Sequence, residues 1–439
     1  MLLKTNYKVG LYTLGCKVSL YETEAVSEAF ATAGYEICDF NEVCDVYVIN
    51  TCTVTAESDA KSRKYIRRAI RKNPNAVVIV MGCYSQRAPE EVAAIEGVGA
   101  VIGTQDKMRC VEIANELLRG VREQMPNLVA PLDGAEFEPM CVKNAPRTRA
   151  YVKIEDGCEC KCSYCAISPA RGPVRSKRPE QVISEVEQLY AGGTLEIVLT
   201  GIETGSYGAD FEEKYNLADL ICELDKRGSC GRIRLGSMAP ELLTAAFVDR
   251  VADTGLMVPH FHISMQSGSD AVLRGMRRRY NRAMALKNIE RIREKMPNVM
   301  LTADLMVGFP GESEEDFLDT LRFVREAKLL DAHVFAYSKR AGTPAADMPN
   351  QIPEQIKKER SARLIAECAA MRDEVLSDVV SRGSALKVIF ETGRGREYTG
   401  HSDSYIEVVC ESGEDVRGML VKVLPIRHEN GKIYGKIQQ

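Results

Sequence analysis

Residues 157–172 read G-C-E-C-K-C-S-Y-C-A-I-S-P-A-R-G, and within this run Cys158, Cys162 and Cys165 form a C-x3-C-x2-C set. Thiolates this close in one tight loop converge on a single metal centre. Three sulfur ligands suit a 4Fe-4S cube with one iron left for a ligand that is not protein, whereas four would make an electron carrier. A closed tetrahedral zinc site that adds Cys160 is the alternative, although zinc ligands usually come as separated pairs.

A second set is spread along the first quarter of the chain. Cys16 in L-G-C, Cys52 in N-T-C and Cys83 in M-G-C each follow an apolar run, at 8–14, 43–50 and 76–81. Helical periodicities at 20–33, 57–72 and 89–95 alternate with these runs. Strands alternating with helices build a parallel, doubly wound sheet, and such sheets bind ligands at the carboxyl edge. Cys16, Cys52 and Cys83 are therefore expected to meet at that edge and to hold a second three-cysteine 4Fe-4S cluster. A lone cysteine is ordinarily a packing residue, which is the reading for Cys38, Cys44 and Cys110.

The helix expected at 57–72 carries Lys61, Arg63, Lys64, Arg67, Arg68, Arg71 and Lys72. A solvated face is the ordinary meaning of such a run. In a chain of net charge −4 it also suits an RNA backbone, with Lys64, Arg68 and Arg71 as candidate phosphate contacts.

Residues 121–143 lack a sustained period and read as a linker after a first domain at 1–120. Six strands are expected beyond it, at 151–154, 195–200, 232–236, 260–265, 299–307 and 333–337, with five helices between them. Six βα units fall short of a closed eight-fold barrel, so 144–375 reads as a partial, open (β/α)6 barrel. At 376–439, alternating strands and the turn Glu429-Asn430-Gly431-Lys432 indicate a small all-β barrel. The fold class is thus α/β and multidomain.

Taken in order, the chain resembles the methylthiotransferase family of radical SAM enzymes: a three-cysteine domain, a radical SAM core with Tyr164 before the last loop cysteine, and a terminal TRAM domain carried on G-x-x-x-x-Y-x-x-V at 400–408. The motifs T-L-G-C-K-V-S-L-Y-E-T-E at 13–24, V-I-N-T-C-T-V-T at 48–55 and K-S-R-K-Y-I-R-R-A-I-R at 61–71 resemble the branch acting on N6-threonylcarbamoyladenosine of bacterial tRNA. The resemblance implies S-adenosylmethionine and two 4Fe-4S clusters as cofactors, and methylthiolation at C2 of adenosine 37. It also implies tRNA, an electron donor such as flavodoxin or ferredoxin, and a sulfur donor as partners. Candidate S-adenosylmethionine contacts carried over from it are Tyr164 and the strand-end residues Thr200, Gly201, Ser237, Ser264, Gln266 and Arg340. Against the family pattern, Ser19 replaces an asparagine, Glu203 a frequent histidine, Ala239 a glutamate and Ala336 a proline.

At 439 residues the chain is too long for one core, and fifteen cysteines in a chain of this size suit metal chemistry in a reducing compartment better than disulfides. No apolar run approaches the ~20 residues needed to span a bilayer, so a cytosolic protein without membrane contact is expected.

Overall fold

The structure is a computed structural model that describes residues 7–120, 127–144, 148–228 and 231–438. The first unit comprises β1 (Lys8–Thr13), α1 (Lys17–Thr32), β2 (Glu36–Cys38), β3 (Val46–Thr51), α2 (Ala56–Lys72), β4 (Val77–Gly82), α3 (Cys83–Arg87), α4 (Pro89–Ala93), β5 (Ala100–Ile102), α5 (Cys110–Leu118) and β6 (Asn127–Leu128). Its strands lie parallel in the order β2-β1-β3-β4-β5-β6. Every residue of β3 is buried, as expected of a central strand covered on both faces. One face packs against Tyr21, Val26 and Phe30 of α1 and Ile113 of α5, the other against Ile66 and Ala69 of α2 and Val92 of α4. Part of the expected linker belongs to this unit: β6 extends the sheet, and Met140 and Val142 enter its core. A two-residue strand leaves no periodicity to read.

The second unit runs through β7 (Arg149–Lys153), β8 (Glu155–Asp156), α6 (Ile167–Arg171), β9 (Arg175–Ser176), α7 (Pro179–Ala191), β10 (Glu196–Thr200), α8 (Leu217–Lys226), β11 (Arg232–Leu235), β12 (Ser237–Met238), α9 (Ala245–Ala252), β13 (His260–Gln266), α10 (Asp270–Gly275), α11 (Arg282–Lys295), β14 (Met300–Val307), α12 (Glu314–Glu326) and β15 (Asp331–Ala336). Strands β7, β10 and β11 form one parallel ladder, and β12 to β15 form another. Gly236 separates β11 from β12, so the third strand of the open barrel changes partner at its midpoint.

A 29-residue helix, α13 (Glu354–Arg382), passes through the boundary expected at 375 and buries Leu364, Cys368, Met371, Leu376 and Val379. Its charged composition hides that stripe. The chain ends in a closed barrel of β16 (Leu386–Arg394), β17 (Glu397–Ser402), β18 (Glu407–Glu411), β19 (Leu420–Glu429) and β20 (Lys432–Ile437).

A buried ion cluster joins the first two units. Glu22 of α1 receives Lys107 from its own unit at 3.3 Å, and Lys153 and Arg171 from the barrel at 2.9 and 2.6 Å. Asp156 takes the same two barrel cations at 2.6 and 3.1 Å. Burial alone would raise both acids, but the cations outweigh it and hold Glu22 well below the carboxylate range and Asp156 at about 2.

Substituting Glu22→Gln removes the buried carboxylate that three cations share, and a loss of about 3–5 kcal/mol is expected, read as a fall in the thermal midpoint. A lowered acid stabilises above its unfolded value and loses that contribution as pH falls. Wild-type stability should therefore drop as pH is lowered from the ordinary 3.8 of Asp156 toward its folded value of about 2, and the Glu22→Gln variant should show a shallower drop.

Candidate active site

The loop between β8 and α6 closes on itself at its base. Gly157 has φ of 90°, and a Cβ there would lie 1.9 Å from the Pro173 carbonyl oxygen, so any larger residue would force the ends apart. The Cys158 amide donates to the Gly172 carbonyl at 3.0 Å, and Ser168 Oγ donates to the Cys158 carbonyl at 2.9 Å. Cys158, Cys162 and Cys165 point from this loop into a cavity of about 630 Å³.

Cys16, Cys52 and Cys83 line the same cavity from the opposite side. Each follows the carboxyl end of a strand: β1, β3 and β4. The carboxyl edge of the first sheet and the cysteine loop of the second unit thus face each other across one space, each presenting three thiols. Thr200, Gly201, Ser237, Ser264 and Gln266 stand on the barrel rim of the cavity, and Tyr164 lines it while packing against the cluster that contains Phe309 and Tyr337. A Cβ on Gly201 would lie 2.3 Å from Glu155 Oε2, so that rim position admits no side chain.

Arg340 is placed differently from expectation. It is nearly fully buried and donates to Thr53 Oγ1 at 2.8 Å and to Asp59 at 2.5 Å, so it fastens the loop after β15 to the start of α2 and does not line the cavity. An acid from the other unit, far in sequence, decides its direction.

Two cations aim at sulfur. Arg171 Nε donates to Cys83 Sγ at 3.1 Å, and Arg278 Nη1 donates to Cys162 Sγ at 3.1 Å. Arg278 is held by its second nitrogen on the Ser264 carbonyl at 3.1 Å and by the Tyr280 ring beneath it. Such donors favour the thiolate that a metal requires. A hydrogen bond from Cys160 is the chief cause that draws Cys158 down to about 6, whereas burial pushes Cys83 up to about 12 even beside Arg171. Burial raises Cys52 and Cys165 as well. Iron binding would expel these protons. Cys160 does not line the cavity, so each set offers three sulfurs. Three thiolates with an open fourth position fit a 4Fe-4S cluster and do not close a tetrahedral zinc site.

Glu203 is buried on the cavity wall and accepts the Ala239 N–H at 3.1 Å, and burial pushes its carboxyl up to about 8.

Residues 8–103 match the model of the uncharacterized protein family UPF0004, and residues 152–324 match that of the radical SAM superfamily. The chain is 42% identical over 424 residues to the threonylcarbamoyladenosine tRNA methylthiotransferase MtaB of Bacillus subtilis (strain 168), covering 94% of this chain and 93% of that one. The chain belongs to the radical SAM tRNA methylthiotransferases.

It is 35% identical to the same-named protein of Aquifex aeolicus over 95% of this chain and 100% of that one. It is also 32% identical to the tRNA-2-methylthio-N(6)-dimethylallyladenosine synthase of Carboxydothermus hydrogenoformans, over 94% and 95%. Among solved structures, the radical S-adenosylmethionine methyltransferase TsrM from Kitasatospora setae, with cobalamin and a [4Fe-4S] cluster bound, shares the fold. The TM-score is 0.57 at 16% identity, over 89% of this chain and 82% of that one. In this methylthiotransferase, sequence reasoning missed Arg171, Arg278 and the inward-facing His262, Asp304 and His333. Arg171 ends the cysteine loop motif, and the last three are polar residues at alternate positions of apolar strands, signals that become legible once the strand faces are known.

Anaerobically reconstituted protein should hold about eight irons per chain. Replacing Cys16, Cys52 and Cys83 together by alanine should leave about four, counted by iron analysis against protein concentration.

Proposed function

We propose that this methylthiotransferase adds a methylthio group to C2 of N6-threonylcarbamoyladenosine at position 37 of tRNA, with two 4Fe-4S clusters and S-adenosylmethionine. The observation that carries this reading is that six cysteines, three from one sheet edge and three from one loop, open into one cavity, so chemistry on carbon and delivery of sulfur share a single space. When bound, the cluster at Cys158, Cys162 and Cys165 supplies with S-adenosylmethionine a hydrogen-atom abstraction that no side chain performs, and the cluster at Cys16, Cys52 and Cys83 supplies sulfur.

The remaining work belongs to side chains. Thr200, Gly201, Ser237, Ser264 and Gln266 present small polar groups and backbone to S-adenosylmethionine at the strand ends, and Tyr164 supports the loop from behind. Glu203, held by the Ala239 amide, offers an acceptor for an ammonium group. The first unit covers the barrel mouth through Arg340–Asp59, the Ala56 amide on Ser338 at 3.2 Å and Thr104 on the Ala170 carbonyl at 2.9 Å, which limits water at the reacting centre.

Lys64, Arg68 and Arg71 lie exposed on α2. Arg63 is engaged by Tyr84 and Lys61 by Glu57, and Arg68 bonds Asn41. Among the described residues, Lys64, Arg67, Arg71 and Lys72 have no carboxylate partner, so this face is free to meet tRNA phosphates. A low-potential donor such as flavodoxin or ferredoxin and a separate sulfur donor complete the reaction, in the cytoplasm. Among the described residues no helix is long and apolar enough to cross a membrane.

Two measurements test this reading. Alanine at any of Cys158, Cys162 or Cys165 should abolish both 5'-deoxyadenosine and methylthiolated nucleoside. The Cys16, Cys52, Cys83 triple variant should still release 5'-deoxyadenosine under strong reductant and make no methylthio product; normal product from it would refute the assigned roles. Reversing Lys64, Arg68 and Arg71 to glutamate should weaken tRNA binding and lower the slope of log affinity against log salt by about three.

A further inference from the structure

The cavity has two chemically different ends. Its mouth holds the thiols and the rim hydroxyls. Two residues back along β13, β14 and β15 from Ser264, Met306 and Phe335, about 7 Å further from the carboxyl ends of the strands, stand His262, Asp304 and His333, which also line it. No role assigned above uses these three.

Asp304 and His333 are register partners across the β14–β15 ladder. His262 Nε2 and His333 Nδ1 both lie 3.2 Å from Asp304 Oδ1. Behind them Thr302 Oγ1 is 2.8 Å from His262 Nδ1 and 3.0 Å from His260 Nε2. His260 is buried against the Tyr405 ring, and burial with the nearby Arg234 holds it neutral. One proton order satisfies every contact: His260 Nε2–H donates to Thr302, Thr302 O–H donates to His262 Nδ1, and His262 Nε2–H donates to Asp304.

The cluster is thus fixed from behind and open in front. Among the described residues, Asp304 Oδ2 and His333 Nε2 have no partner, and the His333 side chain is 76% exposed. Lys17, at the start of α1, lines the same cavity from the first unit. Burial opposes the charge on Asp304, but its hydrogen bonds to His262 and His333 prevail and keep it ionised; the bond to Asp304 in turn raises His333. Asp304 thus sits between two imidazoles, with the free edge of His333 and the amino group of Lys17 on the same cavity, open to a ligand.

We propose that His262, Asp304, His333 and Lys17 form the subsite for the threonylcarbamoyl group, with the threonyl carboxylate on Lys17 and His333 and a urea or hydroxyl hydrogen donated to Asp304. This inference rests on the substrate reading given above. Adenosine without the group leaves Lys17 and the outer atoms Asp304 Oδ2 and His333 Nε2 without a partner in the closed complex, and that penalty is the source of selection. The ligand atoms of the three residues lie within 4.8 Å of one another, but in this proton order both imidazoles already donate N–H to Asp304, and a metal would have to displace those protons.

The test uses the full reconstituted chain and two synthetic anticodon stem-loops that differ only in carrying N6-threonylcarbamoyladenosine or adenosine at position 37. Dissociation constants are measured for both with wild type, His333→Ala, Asp304→Asn and the conservative His333→Gln. Wild type should favour the modified loop by about ten- to a hundredfold. His333→Ala and Asp304→Asn should bring the ratio close to one, and His333→Gln should recover part of it. Contacts elsewhere on the RNA cancel in the ratio, and visible absorption confirms cluster content in each variant. Unchanged ratios in both His333→Ala and Asp304→Asn would overturn the subsite while leaving the substrate reading intact. A wild type without preference would overturn the substrate reading and the subsite with it, and one equivalent of zinc lost in Asp304→Asn would make these residues metal ligands and equally overturn the subsite.

Discussion

A single buried carboxylate, that of Glu22, is the point on which the arrangement of this enzyme depends. It is fully buried and meets three cations, one from its own unit and two from the barrel. Desolvating so many charges is costly, and a well-packed apolar contact would stabilise as much. What the ion cluster adds is registry: Lys153 and Arg171 satisfy Glu22 in one relative position of the two units. Arg171 also donates to Cys83, so the guanidinium that fixes the docking orients a thiol of the second set. Placement of the two cysteine sets in one cavity is thus coupled to the docking itself.

The same device recurs at the other end of the barrel. Glu196 of β10 is fully buried and receives Arg232 and Arg234 of β11, with Arg149 of β7 at 3.7 Å. Burial would raise its carboxyl, but Arg234 first and then Arg232 and Arg149 lower it to about 2. These arginines go on to the terminal barrel: Arg149 pairs with Glu391 at 2.7 Å, Arg232 donates to the Lys387 carbonyl at 3.0 Å, and Arg234 and Arg149 lie over the Tyr405 ring. One acid at each end therefore fixes one neighbour, and the cavity lies between two rigid joints. Rigid supports on both sides suit a reaction in which a carbon, a sulfur and a cofactor must hold near-attack geometry.

Within that frame the cavity is graded. Thiols with Arg278 line one part, small hydroxyls and glycine the strand ends, and imidazole with carboxylate the next layer along the strands. The grading follows from strand periodicity, because inward residues two apart along β13 to β15 stack in successive layers. Ser264 with Met306 and Phe335 forms one layer, and His262 with Asp304 and His333 the next.

The sequence alone determined the kind of chemistry and the local elements. Three cysteines in one loop are a local pattern, and so are apolar runs of period two and helical stripes such as that of α2, expected at 57–72 and found at Ala56–Lys72. It also placed Cys16, Cys52 and Cys83 on one sheet edge, because a parallel sheet aligns strand ends whatever its partners. Elements without a period of their own stayed hidden: the two-residue β6, and α13, whose apolar stripe is narrow among charges. Only the tertiary structure decided that the two edges face each other, since that depends on Glu22 meeting cations that lie far from it along the chain. It likewise decided that Arg340 turns to Asp59, that Arg278 reaches Cys162 and that His262, Asp304 and His333 converge. A side chain's partner is set by three-dimensional charge and space, and neither is encoded in spacing along the chain.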